Sequence, residues 1–173
     1  MPARKCDCGK ALRERTALNG PYQYKLSGLS NVFLVGITVR HCTGCSRESP
    51  VIPKLGQLHE VIAKVLLNKP GLLAGEELRF LRKNAGISAQ DFAKKLGVDP
   101  SHLSRFENGR TKQLGPSTDK LARAIVGAAM DWPDELRSVL LHAAKDDALR
   151  TPREKRGGKK PTFKLEHDRW RAA

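Results

Sequence analysis

The stretch from Ser88 to Gly109, SAQDFAKKLGVDPSHLSRFENG, constrains the chain more than any other. Its spacing predicts two short helices joined by a tight turn. Ser88 is placed to cap the first helix, after which Phe92, Ala93 and Leu96 fall on one face. Gly97 supplies the backbone freedom of the turn, and Val98 plugs the angle between the helices. Asp99 or Ser101 is placed to cap the second helix, with Pro100 tolerated in its first turn. Leu103 and Phe106 point inward, and Asn108-Gly109 ends the helix. That leaves Ser101, His102, Ser104 and Arg105 facing outward. The plain alternative is a helical hairpin whose basic residues are merely solvated.

A second helix held across a first in this way fits the major groove of double-stranded DNA. Arg105 can donate two hydrogen bonds to a guanine edge, and Ser101, one turn earlier, is short enough to allow close approach. Gln90, near the start of the supporting helix, is placed to bond a phosphate. Arg110 and Lys112 flank the second helix within reach of phosphates, although Lys112 serves equally well as a solvated loop residue. The stretch resembles the helix-turn-helix of the phage-repressor (Cro/C1, or XRE) family. The resemblance rests on Gln90, Ala93, Leu96-Gly97-Val98, Leu103-Ser104-Arg105 and Phe106-Glu107-Asn108-Gly109, within residues 76–126.

The net charge of +14 favours polyanionic partners, but the excess is uneven. Residues 76–141 carry 11 Lys/Arg against 9 Asp/Glu, whereas residues 1–75 carry 11 against 4 and residues 142–173 carry 10 against 5. The flanks therefore supply most of the field, which equally suits an acidic protein partner. MPARKCDCGK has no apolar run after its basic residues, so no signal peptide is expected. No stretch approaches the roughly 20 apolar residues of a membrane span. The expected location is the cytoplasm, on the nucleoid through bound DNA.

Four cysteines lie in two close pairs, Cys6-Asp7-Cys8 and Cys42-Thr43-Gly44-Cys45. In a chain without an export signal such pairs read as metal ligands and not as disulfides. Cys6, Cys8, Cys42 and Cys45 would close a tetrahedron around a structural Zn2+, leaving no position for a substrate. The first pair is the tighter CxC, which leaves room for His41 as a substitute ligand. His41 and His59 otherwise read as surface or packing residues. Nothing marks a catalytic constellation, so no enzyme is expected.

Between the pairs, Tyr22 to Leu26 alternates and Val32 to Val39 is β-branched, predicting an antiparallel hairpin or small sheet turned at Ser27-Gly28. Leu55 to Leu67 predicts a helix with a stripe of Leu55, Leu58, Ile62, Val65 and Leu66. Asn68-Lys69-Pro70-Gly71 breaks it and marks a domain boundary. Glu76 to Asn84 predicts the next helix, with Leu78 and Leu81 inward. Ser117 is expected to cap a helix through Leu121, Ile125 and Val126. Pro133 starts a last helix, Asp134 to Ala144, with Leu136, Val139 and Leu140 on one side. These two helices form either a dimer surface or the closure of a monomer's core. From Lys145 the chain reads as a mobile basic tail without a specific role, in which Phe163 and Trp170 are the residues able to anchor it on its own protein, a partner or nucleic acid.

The expected fold is therefore α+β. A small zinc-bound, β-rich domain over residues 1–70 precedes an all-α helix-turn-helix domain over 71–144 and a basic, flexible tail over 145–173. This order resembles the MqsA/YgiT-type family of zinc-finger plus helix-turn-helix proteins over residues 5–140. The resemblance is carried by Tyr24, Gly28, Gly36-Ile37, Cys42 and Cys45. It continues in Ser104 to Glu107, Pro116 to Leu121 and Trp132 to Leu136. It implies a homodimer that binds a palindromic operator, often in its own promoter, as a repressor. In the antitoxins of toxin–antitoxin systems it also implies a toxin held by the amino-terminal domain. The family's two base-reading positions fall on Ser101 and Arg105. The first is commonly Asn, so Ser implies a different operator. The CxC pair stands where the family has CxxC, and the tail has no counterpart.

Overall fold

The structure, a computed structural model, describes residues 5–16, 21–111, 114–145 and 160–173. Two small sheets and six helices share one continuous core that runs from Tyr24 to Trp170 among these residues. Strands β1 (Leu12–Thr16), β4 (Thr38–Cys42) and β5 (Glu48–Val51) form an antiparallel sheet in the order β1-β4-β5. Strands β2 (Tyr22–Gln23), β3 (Phe33–Val35), β6 (Thr162–Glu166) and β7 (Arg169–Ala172) form the second, in that order.

The apolar run Val32 to Val39 is two strands in two sheets. Gly36, at φ 77°, breaks it, so that β3 pairs with β2 while β4 pairs with β1 and β5. The predicted strand over Tyr22 to Leu26 is similarly cut short by a 3-10 turn over Lys25–Ser27, with Tyr24 buried beside it.

The mobile tail expected over residues 145–173 is not what residues 160–173 form. They make the β6–β7 hairpin, and β6 lies parallel to β3. Alternation is the cause: Phe163 and Trp170 bury almost completely, while Lys164 and Arg171 face out. The two-residue turn places His167 and Asp168 both at positive φ, as tight hairpins require. Trp170 Nε1 donates to the Pro53 carbonyl at 2.9 Å, and Lys54 pairs with the Asp168 carboxylate. The expectation of mobility for residues 146–159 lies outside the described residues.

Helix α1 (Leu55–Leu67) follows the predicted bounds, but Leu55 is 44% exposed and Ala63 and Leu67 take inward places. It packs against β7 and against α2 (Gly75–Asn84). The break after α1 is fastened by Arg123. This buried guanidinium donates to the carbonyls of Leu66, Leu67, Lys69 and Gly71, and from Nε to Asp119. Asp119 in turn accepts from the Leu73 amide at 2.7 Å. Each charge is thus hydrogen-bonded, the condition under which a buried ion pair is tolerated.

Helices α3 (Ala89–Leu96) and α4 (Pro100–Glu107) follow, then α5 (Pro116–Ala129) and α6 (Pro133–Lys145). Gly115, not Ser117, holds the N-cap of α5, because Pro116 takes the first helical position. Leu121 on α5 and Leu140 on α6 are 43% and 55% exposed, whereas Ala122, Val126 and Val139 turn inward.

Candidate nucleic-acid interface and metal centre

Capping fixes the two helices of the central motif. Ser88 Oγ accepts from the Asp91 amide at 3.1 Å, and Gly97 adopts the left-handed conformation at the end of α3. Asp99, not Ser101, caps α4: its carboxylate accepts from the amides of Ser101 and His102 at 2.9 and 3.1 Å. Hydrogen bonds from Ser101 and then His102 hold the Asp99 carboxyl below its ordinary range. Phe92, Ala93, Leu103 and Phe106 are all buried.

The outer face of α4 carries Ser101, Ser104 and Arg105, all exposed, with His102 half-buried beside them. Gln90 at the start of α3 and Arg110 beyond α4 are exposed as well. Arg105 Nε reaches back to the Ser101 carbonyl at 3.3 Å, so the guanidinium lies along its own helix. Lys112 lies outside the described residues.

Two features that hold α4 escaped the sequence reading. Arg82 on α2 donates from Nε and Nη2 to both oxygens of Glu107, each at 2.7 Å, and from Nη1 to the Ile87 carbonyl at 2.9 Å. Both side chains are buried, so this fork ties the start of the motif to the end of α4. Gly75 is the second: a Cβ there would sit 2.0 Å from the Phe106 carbonyl oxygen, so only glycine lets α2 start against the end of α4. Glu107 stands in the recognised motif, but its partner lies 25 residues away with nothing local to point to it.

In the amino-terminal strand-rich region, Cys6 and Cys8 sit on a tight loop closed by Cys6 N–H to the Lys10 carbonyl at 2.9 Å. Cys42 ends β4, and Cys45 lies on the turn that leads to β5. The four sulfurs lie within 4.8 Å of one another, with Cys6–Cys45 at 3.6 Å and Cys8–Cys42 at 3.3 Å. A tetrahedron with metal–sulfur bonds of about 2.3 Å has edges of about 3.8 Å, so the cluster is compatible with a bound metal ion. His41 is not in the cluster. It precedes Cys42 on β4, where successive side chains take opposite faces.

Thiolate character is already favoured at one position. Backbone N–H groups of Cys45 and Gly44 draw the Cys42 thiol down to about 6. The Lys10 N–H acts in the same direction on Cys8, but hydrogen bonding with Cys42 and burial outweigh it and push Cys8 up to about 11. The cluster thus keeps protons that a metal would displace on binding.

Residues 73–139 match the family model of a helix-turn-helix domain, of XRE type. The match runs from just before α2 into α6, and the cysteine module lies outside it. The chain thus carries a domain that supports a DNA-binding regulator, behind a strand-rich module with four clustered cysteines. No curated protein and no solved structure matches the chain. Among the described residues, no helix is long and apolar enough to cross a membrane.

Proposed function

We propose that this protein is a sequence-specific, dimeric transcriptional regulator that lays α4 in the major groove of a palindromic operator. The observation that carries the reading is the exposed Ser101–Arg105 face on a helix clamped at both ends, by Asp99 and by the Arg82–Glu107 fork. Arg105 reads guanine, Ser101 permits close approach, and Gln90 and Arg110 bond phosphates. Exposed Leu121, Leu140 and Leu141 on α5 and α6 support a homodimer through these helices. Selection from random duplexes should return a palindrome with half-sites about 34 Å apart. Binding without sequence preference would contradict the reading.

The metal is Zn2+ in this proposal, held by Cys6, Cys8, Cys42 and Cys45. Four thiolates suit that ion and leave it no open position, so its part is to hold two loops together and not to catalyse. The protein acts in the cytoplasm on its DNA.

Within this reading the protein is an antitoxin that represses its own operon. The support is the resemblance of its cysteine, sheet and helix-turn-helix order to the MqsA/YgiT type. A stand-alone regulator is the second reading, favoured by one observation: the chain's own β6 pairs with the free side of β3 in the amino-terminal module. Full-length protein used as bait in its native host separates the two. A stoichiometric small partner that arrests growth when expressed alone supports the antitoxin. Sequence-specific DNA binding with no such partner supports the stand-alone regulator.

A further inference from the structure

A cleft of about 530 Å³ opens between the 3-10 turn at Leu26 to Gly28, helix α1 and helix α2. Its volume lies within the range of small-molecule sites. Its inner wall is aromatic: the His59 and Phe80 rings meet edge to face with centroids 5.4 Å apart, and the Tyr24 hydroxyl lies 2.9 Å from His59 Nε2. Burial lowers the proton affinity of His59, so the wall stays neutral near pH 7. Leu26, 79% exposed, overhangs the opening.

The rim is cationic. Arg79 and Lys83 lie one turn apart on α2, both exposed, and neither has a carboxylate partner among the described residues. The one acid on the rim, Glu76, is already engaged by the Ser30 amide and hydroxyl at 3.1 and 2.6 Å. A neutral aromatic wall under two cations that have no carboxylate partner among the described residues is complementary to a compact apolar body that carries one anionic group.

Arg79 also has a second contact. It donates to Asn108 Oδ1 at 3.2 Å, and Asn108 donates to the Ser104 carbonyl at the end of α4. A ligand that draws Arg79 inward takes that bond from the helix end.

We propose that this cleft binds a small organic anion, a carboxylate or phosphate on a compact apolar body, and that occupancy is signalled to the end of α4 through Arg79 and Asn108. The regulatory meaning of the signal rests on the DNA-binding reading, but the site does not. The test is an amide NMR titration of the full chain, free of DNA, with benzoate as probe and inorganic phosphate as the charge-only control. Benzoate should bind with a dissociation constant of about 1 mM or below, shifting Gly28, Lys83, Asn84 and Asn108 together. The double variant Arg79→Gln/Lys83→Gln should keep a folded spectrum and weaken that binding at least tenfold. The site is overturned by an absence of saturable shifts, by affinity that survives the double variant, or by phosphate binding as well as benzoate. A silent Asn108 at saturation overturns the signalling. Because no DNA is present, failure here is distinct from failure of operator binding.

Discussion

The helix-turn-helix and the cysteine module are closed by contacts of very different reach. Each cap in the former spans two or three residues, from Ser88 to Asp91 and from Asp99 to Ser101 and His102. In the module, the sulfurs that meet lie 39 and 34 residues apart, and Trp170 bonds Pro53 across 117 residues. Locally capped helices cost little chain entropy to close, whereas long loops must be closed by something strong. The four-cysteine cluster, through the metal proposed for it, and a buried tryptophan take that part here. The two regions should therefore fail separately, under different insults.

Chelation should separate the two regions most visibly. With the proposed zinc removed, amide exchange should rise in the loops 5–11 and 42–47 while α2 to α5 keep their protection. Equal loss across both regions would show that the module and the helices are one cooperative unit. Within the helical half, Glu107→Ala strands the buried Arg82 guanidinium and should cost about 3–5 kcal/mol, read from urea denaturation. In the module, Trp170→Ala should cost a similar 3–5 kcal/mol and release β6 and β7 first, read from their exchange rates. A loss that spares β6 and β7 would remove the hairpin from its assigned place.

Leu140→Glu should shift the proposed dimer to monomer by light scattering and lower the thermal midpoint only by the concentration-dependent part that association supplies, since Leu140 is 55% exposed in the single chain. Asp99→Ala should lower stability least. The Asp99 carboxyl sits below its ordinary range in the folded chain, so its contribution is present above the unfolded value. It is lost as pH falls through the lower folded value, and Asp99→Ala should remove that part of the acid sensitivity.

The same difference in reach explains what could be read from the residues. Ser88, Gly97 and Leu103 announce their roles within a few positions, and the bounds of α1 follow from one stripe. The cysteine pairs are legible because a four-thiol cluster leaves a spacing in the chain even when the partners are distant. Arg82 with Glu107 and Arg123 with the end of α1 leave no such mark. Leu121 reads as core by hydrophobicity, yet Ala122 and Arg123 take the buried face of α5. The β6–β7 hairpin is hidden by composition: its alternation is present, but it lies among basic residues and turns through His167-Asp168 without a glycine.

The proposed operator recognition stands or falls on Arg105 reading a base from a clamped α4. The most direct test is fluorescence anisotropy with wild-type protein and Arg105→Ala, on the selected operator and on a scrambled duplex at the same salt. Base reading by Arg105 predicts a loss of about 1–3 kcal/mol on the operator, little change on the scrambled duplex, and relaxed preference at one base pair in each half-site. Equal losses on both duplexes would contradict it, leaving Arg105 as a phosphate contact and α4 without its assigned role.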